Sequence, residues 1–129
     1  MDRSDRLQPR KRSGFSWAAR ILGLIFVGFW LFISVMMVVQ EGIGKGVEDR
    51  IMAGLILCST AAFIVAWWRE GIGGVFLMVA GIAHSTFALF SAGHNVGLAM
   101  LISGGPFLLI GGLFLMGWSR SRANADESH

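Results

Sequence analysis

The chain has a single cysteine, Cys58, among its 129 residues, and this scarcity excludes two kinds of site. One thiol cannot form a disulfide within the chain, and no cysteine-rich metal motif can be built from it. Cys58 falls near the middle of an apolar stretch, so we expect it to pack inside the fold as a small apolar residue. We predict neither a metal site nor a cofactor.

Charged residues are missing from four long stretches, which contain no Asp, Glu, Lys or Arg. These stretches are residues 21–39, 51–68, 71–92 and 96–118, each 18 to 23 residues long. At 1.5 Å per residue they would extend about 27 to 35 Å, the thickness of the hydrocarbon core of a bilayer. The sequence therefore predicts an all-α membrane protein, a bundle of four transmembrane helices.

Two short polar segments flank the apolar stretches. Residues 1–16 and 119–129 are rich in charged and polar side chains, and we expect both to be disordered cytoplasmic tails. The basic tract at residues 10–12 could attract anionic lipid headgroups. We favour a simpler interpretation, in which the tract sets the topology and its lipid contacts are incidental.

The basic residues are concentrated on one predicted side of the membrane. Nine of the eleven precede the first stretch, lie between the second and third, or follow the fourth. They are Arg3, Arg6, Arg10, Lys11, Arg12, Arg20, Arg69, Arg120 and Arg122. Lys and Arg near span ends resist translocation, so this bias predicts that both termini are cytoplasmic. It also explains the net charge of +3 without a nucleic-acid partner.

Aromatic and basic residues at the span ends support the same orientation. Tryptophan prefers the headgroup layer, where its ring is half buried and its N–H stays hydrated. The predicted anchors share one edge of the bilayer only if the number of spans is even. They are Trp17, Arg20, Trp67, Trp68, Arg69 and Trp118.

The first apolar stretch could alternatively be a cleaved signal peptide, since it follows a basic segment. Its 19 residues exceed a usual signal core, and residues 38–41 lack the small side chains of a cleavage site. We therefore interpret it as a membrane span.

Short connections and small residues predict how the helices pack. Few residues separate the second, third and fourth spans, so these spans should be antiparallel neighbours in an up-down bundle. Small residues recur every seven positions on the third and fourth spans, a spacing that returns to the same helix face within about 20°. In lipid, small side chains allow close helix contact, so we expect the two stripes to face each other. The stripe residues are Gly74, Gly81, Ala88, Gly97, Gly104 and Gly111.

A layer of polar residues is predicted in the outer half of the spans. It comprises His84, Ser34, Ser59, Thr60, Ser103 and Pro106. An ionisable residue within the membrane is a candidate functional site, and His84 is the main one here. Pro106 cannot donate to the carbonyl of Ile102, so we expect that oxygen to be the partner of His84.

Two hypotheses for this layer remain open. In one, His84 carries a proton or contacts a ligand in a cavity lined by an interrupted fourth helix. In the other, a neutral His84 makes one hydrogen bond that joins helices, and Pro106 only kinks its helix. We favour the second because few polar groups surround His84.

Three segments carry a resemblance to a known family. They are residues 19–26 (ARILGLIF), 67–74 (WWREGIGG) and 106–115 (PFLLIGGLFL). Over about residues 17–118 the chain resembles an uncharacterised family of small bacterial four-span membrane proteins. The resemblance implies a bundle in the bacterial inner membrane and no established activity.

The predicted function is that of a non-enzymatic accessory or interaction subunit, which acts through helix packing in the inner membrane. Its partner would be a second copy or a larger membrane protein. The alternative is a small transporter or channel component that uses the polar layer around His84. An enzyme ranks third, because one histidine offers too few acid, base or metal-ligand groups.

Overall fold

A computed structural model describes residues 14–42 and 46–126, and this part of the chain folds into four helices. They are α1 (Gly14–Glu41), α2 (Val47–Trp68), α3 (Glu70–Ser91) and α4 (Val96–Asp126). All four are long and apolar enough to cross a membrane. The prediction of an all-α fold with four such helices packed against one another is confirmed.

The helices extend beyond the apolar stretches at both ends of the chain. α1 begins at Gly14 and α4 continues to Asp126, so residues 14–16 and 119–126 are helical, where the sequence predicts disordered tails. The two extended ends touch: the Arg120 guanidinium of α4 lies 4.5 Å from the centre of the Phe15 ring of α1. The rest of the predicted tails, including the basic tract at residues 10–12, lies outside the described residues.

Each helix packs against the helices next to it in the chain, and α1 also packs against α4. The contact between α3 and α4 is the most extensive. Along it, Gly74 lies against Gly111 and Gly81 lies against Gly104. Residue numbers therefore rise along α3 as they fall along α4.

The core lies between the four helices, and α1, α2 and α4 supply most of it. Its buried residues are Ala19, Val27, Ala62, Phe63, Ala66, Leu77, Phe107, Ile110 and Phe114. The Phe63 and Phe114 rings are 6.3 Å apart between centres, which joins α2 to α4. On α1, the Phe63 ring occupies the space that a side chain at Gly23 would need. A glycine at position 23 thus allows α1 to approach α2 closely.

Cys58 is exposed, and the prediction that it packs inside the bundle is wrong. The buried side of α2 is formed by other positions, among them Ile56, Ser59 and Ala62. This arrangement turns Cys58 outward, toward the surface that lipid or another helix would cover.

Candidate functional site

The candidate site is centred on His84 and lies where the small residues of α3 and α4 bring the two helices into close contact. A Cβ atom added to Gly74 would lie 3.1 Å from the carbonyl oxygen of Gly111, and one added to Gly81 would lie 3.0 Å from that of Gly104. Ala88 is also buried. Gly97 is predicted to lie in the same contact, but it does not. It is exposed, and a Cβ there would meet no atom within 4 Å.

His84 lies inside this contact, with 2% of its surface exposed. Its Nδ1 is 2.9 Å from the carbonyl oxygen of Ala80 on the same helix, and its ring lies against Phe107 with 4.7 Å between ring centres. The expected partner, the carbonyl of Ile102, is therefore not used. The carbonyl four residues earlier on α3 is within reach without any help from α4, which explains the difference.

Pro106 does not interrupt the fourth helix. α4 is helical from Val96 to Asp126 with Pro106 inside it. Proline removes one backbone hydrogen bond, and a helix that is packed against neighbours can tolerate that loss. The broken helix of the transporter hypothesis is therefore not present.

Three of the predicted layer residues bond within their own helices. Ser34 donates to the carbonyl of the residue four positions earlier at 2.9 Å, and Ser59 and Thr60 do the same at 2.8 Å each. Each hydroxyl is thus satisfied locally, and these bonds do not connect the three residues to His84.

In the described part of the chain, two buried atoms of the predicted polar layer have no hydrogen-bond partner: Nε2 of His84 and Oγ of Ser103. Because the carbonyl of Ala80 can only accept, the Nδ1 of His84 carries the proton of that bond, and Nε2 of the neutral ring is an acceptor. The hydroxyl of Ser103 can donate. Ser103 is one turn from Phe107, whose ring contacts His84, so the donor and the acceptor face the same interface.

A second polar cluster joins three helices at the opposite end of the bundle. Arg20 of α1 donates from Nη2 to Oε1 of Glu70 at 3.2 Å and to the carbonyl oxygen of Trp67 at 3.2 Å. Ser16 donates to the other carboxylate oxygen of Glu70 at 2.8 Å. Both oxygens of Glu70 are therefore occupied, and α1, α2 and α3 are held together.

The sequence predicts Arg20 and Trp67 only as interfacial anchors and misses the bonds of Arg20 to Glu70 and of Ser16 to Glu70. Arg20 is 9% exposed, and its guanidinium lies 5.1 Å from the centre of the Trp67 ring, so it is mostly covered by protein. The other predicted anchors are more exposed: Trp17, Trp68, Arg69 and Trp118. The four-residue spacing of Ser16 and Arg20 places both on one helix face, but it does not identify Glu70 on α3 as their shared partner.

A family model matches residues 8–126, which is nearly the whole chain. The chain belongs to the family Domain of unknown function (DUF7670). No curated protein and no solved structure matches it. The expected membership of an uncharacterised family of proteins with four apolar helices is confirmed. The DUF7670 match includes all four helices and thus both polar clusters.

Within residues 14–42 and 46–126 of the DUF7670 domain, the buried polar atoms without a partner and the ion pair all lie in these two clusters. In residues 14–42 and 46–126, no group of three His, Cys, Asp or Glu side chains could hold a metal ion. His84 offers one hydrogen-bond acceptor inside the bundle, and the Arg20–Glu70 pair is used in holding helices together.

Proposed function

We propose that the protein is a non-enzymatic accessory or interaction subunit of the bacterial inner membrane. It would be an up-down bundle with both termini in the cytoplasm, and it would act by packing against a second copy or a larger membrane protein. The concentration of nine basic residues on one side supports the orientation. The glycine pairs Gly74–Gly111 and Gly81–Gly104 show that α3 and α4 are antiparallel, which supports the up-down arrangement.

One observation carries the subunit role: a stripe of small residues on the outer surface of α2. Gly54, Cys58 and Ala61 follow the spacing i, i+4, i+7, and all three are exposed. A Cβ at Gly54 would meet no atom within 4 Å. Because small side chains let helix backbones approach closely in lipid, this α2 stripe is suited to contact with another helix.

An exposed glycine on α1 provides a comparison for Gly54 on α2. Gly28 is exposed and also has open space around it. Its neighbours one turn away, Leu24 and Phe32, are large, and 56% and 61% of their surfaces are exposed. Large apolar side chains suit lipid contact, so α1 lacks the run of small residues that distinguishes α2.

The unique cysteine allows the α2 stripe to be tested directly. We expect thiol cross-linking in native membranes to give one defined adduct through Cys58, either a covalent dimer of the chain or a complex with one larger protein. Replacing Gly54 by leucine should lower the yield at least about fivefold, since a large side chain separates the helices. Adducts would be measured by gel mobility and mass spectrometry.

A matched control moves the cysteine to another exposed helix. Val79 is 57% exposed near the middle of α3, so a Cys58→Ala, Val79→Cys variant presents a thiol at similar depth on a different surface. This variant should give none of the adduct. Equal yields from the two thiols, or no adduct from Cys58, would contradict the subunit role.

The second candidate, a small transporter or channel component, is supported by the unpaired Nε2 of His84 and Oγ of Ser103. If these groups contact a transported species, His84→Leu should abolish a pH-dependent flux in proteoliposomes. Thr86→Val is the matched control on the same helix, because Thr86 is exposed and bonds back to Ile82. A flux that survives His84→Leu, or no flux in the unmodified protein, would rule this candidate out.

A further inference from the structure

An open groove lies beside the turn that joins α2 to α3, at the same end of the bundle as Arg20. Its volume is about 710 Å³, which falls within the range of roughly 300–1,000 Å³ that is usual for ligand sites. Its walls come from the first turns of α3 and the last turns of α4. We call it the α3–α4 groove and define it by Arg69, Ile72, Val75, Phe76, Trp118 and Arg122.

The mouth of the α3–α4 groove is positively charged. Arg69 and Arg122 both line it, and within residues 14–42 and 46–126 no carboxylate forms an ion pair with either of them. The Arg122 guanidinium lies 4.4 Å from the centre of the Trp118 ring, which holds it over the opening.

Glu70 is the acidic residue of this lining, and its charge is already compensated. One carboxylate oxygen accepts from Arg20 at 3.2 Å and the other accepts from Ser16 at 2.8 Å. The two arginines at the mouth are therefore left to bind an anion from outside the protein.

The wall of the groove along α3 is apolar and uncovered. Ile72, Val75 and Phe76 line it, and 45%, 51% and 54% of their surfaces are exposed. A small hydrophilic anion would contact the arginines but leave this wall unused. A ligand with an anionic head and an apolar chain would use both parts.

We propose that the α3–α4 groove binds an anionic phospholipid, with its phosphate between Arg69 and Arg122 and an acyl chain along Ile72, Val75 and Phe76. Basic pockets between helices at the cytoplasmic side of a membrane are suited to such headgroups. The tryptophan beside the arginines matches the headgroup layer, where its ring is partly buried. The proposal rests on the helices lying in a membrane in the proposed orientation, with this end of the bundle at the cytoplasmic side, but not on the subunit role.

The test measures lipid binding to the purified full chain by native mass spectrometry. Phosphatidylglycerol and phosphatidylcholine with identical acyl chains are compared, and we expect the anionic lipid to bind at least about tenfold more tightly. The Arg69→Gln, Arg122→Gln double variant should bring the two lipids within about twofold of each other. Arg120→Gln is the matched control, since Arg120 lies on the same helix, contacts Phe15 and does not line the groove.

Two further measurements separate a lipid site from a phosphate site. Val75→Trp should weaken binding of both lipids, because the larger ring fills the apolar part of the groove, and this variant leaves both arginines in place. Inorganic phosphate at millimolar concentration should not displace phosphatidylglycerol. The proposal is overturned if Arg120→Gln weakens binding as much as the double variant does, if Val75→Trp has no effect, or if inorganic phosphate competes.

Discussion

Replacing Gly104 by leucine is expected to destabilise the bundle more than the same change at any other glycine of α4. A Cβ at this position would overlap the hydroxyl of Ser85 and the carbonyl oxygen of Gly81. The serine side chain could rotate away, but the Gly81 carbonyl is backbone within α3, so the two helices would have to separate. Overpacking of this kind costs about 3 kcal/mol or prevents folding.

The measurement is thermal unfolding of the purified protein in detergent, followed by circular dichroism. Gly104→Ala should lower the midpoint less than Gly104→Leu does. Gly97→Leu is the matched control, because Gly97 lies on the same helix and in the same predicted stripe but has no neighbouring atom within 4 Å. Its effect should stay within about 0.5 kcal/mol. Equal losses from Gly97→Leu and Gly104→Leu would contradict the close contact at Gly104.

The difference between Gly97 and Gly104 shows which part of helix packing can be predicted from sequence. Seven-residue spacing specifies a face of each helix, and the structure places Gly74, Gly81, Gly104 and Gly111 on the faces that meet. Spacing says nothing about how far along the helices the contact extends. That length depends on the angle at which α3 and α4 cross, which is a property of the whole bundle.

The surroundings of His84 could be predicted only in part. Its position beside the small-residue stripe indicates that it faces a neighbouring helix, and its ring does lie against Phe107 of α4. Its hydrogen-bond partner could not be predicted in this way, because a helix face does not distinguish a carbonyl on α4 from one on α3. The carbonyl used is that of Ala80 on its own helix, at 2.9 Å.

The cluster of Arg20, Ser16, Glu70 and Trp67 could not be found from hydropathy. A hydropathy prediction usually places the end of a membrane span at the first charged residue. By that criterion the first span begins at Ile21, so Arg20 is an anchor and Ser16 belongs to a tail. The helix continues through both residues, and Glu70, 54 positions after Ser16 and 50 after Arg20, accepts a hydrogen bond from each. A pairing between such distant positions is visible only in the three-dimensional structure.

Replacing Arg20 by leucine is the second change for which we expect a large loss of stability. It would leave the carboxylate of Glu70 among three helices without its charged partner, and would leave the carbonyl of Trp67 without this donor. Removing one member of a buried ion pair costs about 3 to 5 kcal/mol. We expect about 2 to 3 kcal/mol here, because the side chain of Glu70 remains 21% exposed and water can reach it.

A double-mutant cycle in detergent distinguishes the ion pair from other effects of losing Arg20. If the cost arises from an unpaired carboxylate, Arg20→Leu, Glu70→Leu should be more stable than Arg20→Leu alone, because no buried charge is left uncompensated. Arg120→Leu removes an exposed arginine at the same end of the bundle and should cost about 0.5 kcal/mol or less. Strictly additive losses from the two single variants would show that Arg20 and Glu70 act independently. In that case the loss in Arg20→Leu would come from its other contacts, the bond to the carbonyl of Trp67 and the packing against the Trp67 ring.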